Sequence, residues 1–196
     1  MTSHASRQPA AGRRAFSVVE LFLTTTVMLL LVGVVSTRAS DVTDEARSAA
    51  IVELTEGLEG AVEAYHEDTG ELPREYSGYQ GSTFHRLSKD PGVVGWAGPY
   101  VEAPIDRSWN PAGGQVHLYS SARHAVGEDY DLNGDGAMDV AREDACSISF
   151  FGVGEGLARR VDAALDGEVP SRDWRDSGRV EFRPAEHLLS VMVHRR

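Results

Sequence analysis

Hydrophobic residues run almost unbroken from Phe16 to Val35, and beyond that point the pattern changes to a helical period. The run reads Phe16-Ser17-Val18-Val19-Glu20-Leu21 and then Phe22 to Val35 with no further charge. About twenty apolar residues is the length of one helix across a bilayer. Its single carboxylate, Glu20, lies near the start. A carboxylate at a membrane centre costs roughly 2.5–3.5 kcal/mol, so a charge retained in such a run points to a role. From Ala39 onward the apolar positions thin to Ala46, Ala50, Leu54, Leu58, Ala61, Val62 and Tyr65, at spacings of three and four. Glu53, Glu56, Glu59, Glu63 and Glu67 fall largely elsewhere. Gly57 and Gly60 each weaken a helix by about 1 kcal/mol relative to alanine. Phe16 to Glu67 as one helix is about fifty-two residues, roughly 78 Å at 1.5 Å per residue. Its first half is apolar all round and its second half is amphipathic. This predicts a stalk that leaves a membrane and becomes the spine of a globular head.

Thr69-Gly70-Glu71-Leu72-Pro73 supplies stop signals for that helix. A loop-rich region follows to Gly114, with glycines at 78, 81, 92, 95 and 98 and prolines at 91, 99, 104 and 111. Trp96, Tyr100 and Trp109 are expected to pin it onto the helix or a sheet. Strand-like runs are Gln115 to Ser120, Cys146 to Val153, Arg179 to Phe182 and Leu188 to Val193. Between the second and third, Leu157, Val161 and Leu165 mark a helix over 156–165. The class is α+β: a long N-terminal helix packed on a small antiparallel sheet.

Charge places the ends of the apolar run. Before it lie Arg7, Arg13 and Arg14; after it come Arg38, Asp41, Asp44 and Glu45. The excess of arginine on the first side puts the N-terminus in the cytoplasm and everything after Thr37 outside. Removing residues 1–15 takes away three arginines and no acid, which moves the formal charge from −11 to −14. An acidic head with one lysine, Lys89, is a poor match for nucleic acid, whose phosphates require clustered cations. Cys146 is alone, so no intramolecular disulfide forms, and it reads as a small buried hydrophobe.

The segment Arg13-Arg14-Ala15-Phe16-Ser17-Val18-Val19-Glu20-Leu21 resembles the N-terminus of type IV pilins and of type II secretion pseudopilins. Those proteins carry a basic leader, a small residue before the cut, then an aromatic residue and a glutamate fifth in the mature chain. The resemblance places the cut between Ala15 and Phe16, with Glu20 fifth; the family prefers glycine where this chain has Ala15. Gly98-Pro99-Tyr100-Val101 and Pro104-Ile105-Asp106-Arg107-Ser108-Trp109-Asn110-Pro111 are similar to a turn and a proline-tryptophan-asparagine run of the major pseudopilins. The resemblance implies residues 1–15 as a leader, 16–38 as a transmembrane and filament-core helix, and 39–196 as a periplasmic head. That head divides into an amphipathic helix over 39–68, loops over 69–114, and over 115–196 a sheet with an extension of helix, strand and strand. Two ordinary readings of the same run remain: a secretory signal cut near Ser36-Thr37-Arg38-Ala39, and a plain single-pass anchor.

A second pattern carries chemistry. In Asp129-Tyr130-Asp131-Leu132-Asn133-Gly134-Asp135-Gly136-Ala137-Met138-Asp139 oxygen side chains recur at alternate positions with glycines between. A chain wraps a hard cation in this way, and Ca²⁺ takes six to eight oxygens at about 2.3–2.6 Å. One EF-hand-like register starts at Asp129 with Gly134 sixth. The other starts at Asp131, with Gly136 sixth and Asp139 ninth. Neither has a twelfth glutamate, since Val140 and Arg142 stand there, and Glu128, Glu143 or Asp144 would complete the shell. The competing reading is a solvated acidic turn. The spacing gives Asp129, Asp131, Asn133, Asp135 and Asp139 as metal residues, and the pseudopilin resemblance also implies calcium in this loop by its position.

The seven histidines, at 4, 66, 85, 117, 124, 187 and 194, show no metal-binding pair at helical spacing, and no nucleophile elbow or phosphate loop occurs. His117 and His124 are the two that could approach the acidic loop. The chain reads as a structural subunit and not an enzyme. The resemblance implies cleavage by a prepilin peptidase in the inner membrane and methylation of the new Phe16 amine. It further implies a filament of itself and other pilin-like subunits, built by a membrane platform protein and an assembly ATPase, periplasmic or on the surface. A neighbouring N-terminal amine would pair with Glu20 and set axial register. The alternatives are a minor or adhesive subunit of the same class, or an anchored calcium-binding domain or hydrolase that does not polymerise.

Overall fold

The computed structural model describes residues 18–119, 129–167 and 173–196, with backbone alone at 33–41 and 142. Ala15 and Phe16 lie outside the described residues, as does His124. Helix α1 spans Val18–Thr69. The boundary between two compact units falls within it, between Asp41 and Val42. In the first unit the helix exposes its apolar side chains on all sides, including Val19, Phe22, Leu23, Met28, Leu29 and Leu31. Three threonines interrupt that run. Thr24 Oγ1 donates to the Glu20 carbonyl at 2.9 Å, Thr25 to Leu21 at 3.0 Å and Thr26 to Phe22 at 2.8 Å, so each hydroxyl is satisfied within the helix. Among the described residues no helix is long and apolar enough to cross a membrane. The stretch with described side chains, 18–32, is shorter than the roughly twenty residues a span takes.

The second unit is built on five strands: β1 (Glu75–Tyr76), β2 (Val116–Tyr119), β3 (Ala145–Phe151), β4 (Val180–Arg183) and β5 (Leu188–Arg195). They pair antiparallel in the order β1-β2-β3-β5-β4. A second helix, α2 (Glu155–Leu165), precedes β4. The core lies on one side of the sheet. There Ile51, Leu58, Val62 and Tyr65 of α1 and Leu157 and Val161 of α2 pack against Val116, Ile148, Phe150, Phe182, Leu189 and Val191. The helix–strand–strand tail expected as an extension is therefore part of the main sheet, with β5 between β3 and β4. α1 stops where Gly70 takes φ 70° and its N–H closes on the His66 carbonyl at 2.8 Å. This is a left-handed glycine terminus.

The buried stripe of α1 differs from the one its alanines suggest. Ala46 and Ala50 are exposed, whereas Ser48, Ile51, Thr55, Leu58, Val62 and Tyr65 face the sheet. Ser48 and Thr55 tolerate burial because their hydroxyls donate back to the Glu45 and Ile51 carbonyls at 2.9 and 2.8 Å. A Cβ added at Gly57 or Gly60 meets nothing within 4 Å, and both positions are helical and exposed. Gly57→Ala and Gly60→Ala are each expected to stabilise the fold by about 0.5–1 kcal/mol. Chemical denaturation of the two variants checks this, and a loss of stability would mean that the open space is not open.

The loop region is held by a few polar pins. Asn110 is buried and donates from Nδ2 to the Gln115 carbonyl at 2.8 Å and the Phe151 carbonyl at 2.9 Å, while Oδ1 accepts the Ala112 N–H at 2.9 Å. Gly114 lets the chains meet: a Cβ there would lie 1.9 Å from the Phe151 carbonyl oxygen. Asp106 caps the 3₁₀ turn Arg107–Trp109 by accepting the Ser108 N–H at 2.7 Å. Trp96, Tyr100 and Trp109 pack on the core, as expected. The Trp96 indole donates to the Arg86 carbonyl at 2.8 Å, and the Tyr100 hydroxyl donates to Asp68 Oδ2 at 2.7 Å. Nearby, the fully buried Glu75 accepts the Leu87 and Ser88 N–H groups and lies 2.8 Å from His85 Nδ1. Asn110→Ala strands two carbonyls and one N–H at once and is expected to cost about 2–4 kcal/mol, read as a lower denaturation midpoint.

Candidate functional site

Two features carry the expected chemistry, and each sits within one unit. The first is the apolar part of α1. Glu20 lies in its first turn and is exposed together with Val19, Leu21 and Leu23 around it. The carboxylate thus occupies a cylinder whose other described side chains to Val32 are apolar or internally bonded threonines.

The second is the acidic loop. Tyr130 and Val140 close it as an antiparallel bridge, with Tyr130 N–H to the Val140 carbonyl at 2.8 Å and Val140 N–H to the Tyr130 carbonyl at 3.1 Å. Tyr130 and Val140 bury themselves with Ala145 and Met192 in a small second cluster. Between them the chain makes a tight coil with Gly134 at φ 72° and Gly136 at φ 85°. Asp131 lies at its centre and is 6 % exposed. Its Oδ1 accepts the N–H of Gly134 at 2.8 Å and of Asp135 at 3.2 Å, and its Oδ2 accepts that of Gly136 at 2.8 Å. Asn133 Oδ1 accepts from Asp135, Asp135 Oδ1 from Ala137 and Asp139 Oδ2 from Leu132, each at 2.8 Å. Asp131, Asn133, Asp135 and Asp139 therefore share one closed turn, which matches the register beginning at Asp131. Asp129 precedes the bridge, outside that turn.

Burial pushes the Asp131 pKa up, but the N–H groups of Gly136, Gly134, Asp135 and Asn133 outweigh it and leave the carboxyl below its ordinary range. Backbone dipoles thus supply positive potential at the centre of this cluster of aspartates. The donors are all oxygens, which suits a hard cation. A carboxylate has about four lone-pair sites. Backbone N–H groups occupy most of the Asp131 carboxylate, whereas Asp135 and Asp139 each accept one such bond, so capacity for an ion remains chiefly on those two. Among the described residues no three His, Cys, Asp or Glu side chains already converge as a metal group. Asp144, expected as an outer ligand, turns to Arg196, with Oδ1 3.6 Å from Nε. Glu143 is exposed, and Glu128 lies outside the described residues.

His117 is engaged elsewhere, with Nδ1 2.7 Å from the Tyr119 hydroxyl and its ring among Tyr76, Tyr79 and Phe151. Cys146 is fully buried, and desolvation pushes its thiol pKa far up, so it packs as a hydrophobe. No family model, curated protein or solved structure matches this chain.

Proposed function

We propose that this chain is a structural subunit of a pilin-like filament, of the kind that type II secretion systems assemble from the inner membrane, and that it binds calcium in the Asp131–Asp139 turn. One observation carries the reading. A single helix element, α1, bears an all-round apolar surface with one carboxylate in its first turn, and then an amphipathic stripe buried on an antiparallel sheet. A soluble domain gains nothing by exposing so many large apolar side chains, and their burial in lipid or among copies of the same helix removes the cost. Threonine hydroxyls satisfied inside the helix make that surface compatible with either environment.

On this reading each part has a task. The leader ends at Ala15, Phe16 carries the mature amine, and Glu20 meets the amine of a neighbour within the apolar core. The head is the part displayed outside the membrane. Calcium would be held by Asp131, Asn133, Asp135 and Asp139, where it would add a rigid charge to a turn already shaped by backbone bonds. Intact mass and N-terminal sequencing of the protein extracted from its native membrane test the reading. The expected start is a methylated Phe16. An intact Met1, or a start near Ser40, would remove the filament proposal and leave an anchor or a secreted protein.

A further inference from the structure

We propose that His66 and His194 form a binding site for a divalent transition-metal ion, best matched by Zn²⁺, which clips the end of β5 to the last turn of α1. The site is chemically separate from the acidic loop and independent of the filament reading.

The two imidazoles are brought together by the fold alone, with ring centroids 5.3 Å apart and planes inclined at 56°. A tetrahedral ion held by two ring nitrogens at about 2.0–2.1 Å places two imidazole centroids roughly 5 Å apart. The backbone is arranged to bring His194 there. On β5, Met192 pairs with Ser147 and His194 with Cys146, so Val193 is an extra residue, a β-bulge. Without it, Val193 would oppose Cys146 and His194 would point to the other side of the sheet. The bulge turns His194 to the side that Cys146 shares with α1.

Both rings have nitrogen to offer. His66 Nδ1 lies 3.2 Å from the Glu71 carbonyl oxygen, which only accepts, so Nδ1 carries the proton and Nε2 the lone pair. Metal-bound histidines are commonly oriented by this kind of bond through the other nitrogen. His194 Nε2 is buried and has no hydrogen-bond partner. A buried polar atom of this kind in a native fold calls for a partner such as an ion or a water. Burial first, and then the neighbouring His66, lower the His194 pKa against the opposing pull of Glu63, which favours the neutral ring that binds metal.

The α1 side of the pair attracts a cation. His66 lies in the last turn of α1, where the unsatisfied carbonyls present negative potential. Glu63, one turn earlier on the same face, is exposed and close enough to act on His194. Because no three potential ligands already converge among the described residues, the protein contributes two fixed nitrogens, and water completes the shell. An open groove over Glu59, Arg179, Met192 and Arg195 gives solvent access to His194. Imidazole pairs suit zinc and its neighbours, whereas an all-oxygen turn suits calcium, so the two sites separate by ion. An ion shared by residues 66 and 194 closes a very long chain loop, the case in which a clip restrains the unfolded chain most.

The test uses the full chain in detergent with calcium saturating and transition metals removed. Zn²⁺ titrated by calorimetry is expected to bind at one equivalent and to raise the melting temperature. His66→Gln and His194→Gln are expected to weaken binding at least tenfold. In the unaltered protein, the imidazole NMR signals of His66 and His194 should shift on Zn²⁺ addition and those of the other five histidines should not. This readout needs no variant to fold. Absence of Zn²⁺ uptake, undiminished binding in both glutamine variants, or shifts confined to other histidines would each overturn the site.

Discussion

Glu20→Ala is expected to leave synthesis and membrane insertion intact and to abolish incorporation into filaments. Insertion should if anything improve, because a carboxylate leaves an apolar run. On the proposed filament reading, assembly would fail for the opposite reason: the N-terminal amine of the neighbouring subunit would enter an apolar core with no counter-charge. Breaking one partner of a buried ion pair costs about 3–5 kcal/mol, a factor of roughly 10²–10⁴ in each subunit contact. Glu20→Gln keeps the size and removes the charge, and should fail equally. Immunoblots of sheared filaments against the membrane fraction read the result. A normal filament yield from either variant would sink the register argument.

The acidic turn carries the second large effect. Removing calcium from the intact protein is expected to lower its melting temperature by about 5–10 °C. A ligand at a hundred times its Kd stabilises by about 2.7 kcal/mol, and for a domain of this size each kcal/mol moves the melting point by about 2–4 °C. Asp131→Asn should lower the calcium-loaded melting point and abolish the response to chelator. An identical melt with and without chelator would remove the metal. The same carboxylate makes an acid limb. Its folded pKa lies below the unfolded one, so its contribution is complete above the ordinary aspartate value near 3.9 and is lost as the pH falls further.

Much of the architecture is legible in the residues because it rests on periodicity. The runs near 116, 146, 180 and 188 all appear as strands and the stretch from 156 as a helix, since alternation and helical spacing are local properties. β1 escaped because two residues, Glu75 and Tyr76, are too few to alternate. The seam of α1 includes Ser48 and Thr55, which a count of apolar positions passes over, because each hydroxyl meets its own hydrogen bond one turn back. In the acidic loop both registers fit the spacing. The Tyr130–Val140 bridge, a pairing of two hydrophobes, decides which oxygens share a turn. His66 and His194 offer no signal at all in the chain, because only α1, the sheet and one bulge bring them into contact.

The strand order has a consequence for when this protein can become itself. β5 follows β4 in the chain, yet it lies between β3 and β4, not at an edge. Until its residues emerge, β3 has one open flank and β4 has nothing to pair with. A chain still being synthesised, or still threading through a translocation channel, therefore lacks the interior of its own sheet and stays pliable. Closing the sheet waits for residues 188–195, whose pairing with β3 is a distant contact and correspondingly slow to form. Loss of residues 188–195 would remove an interior strand of the sheet, not an edge.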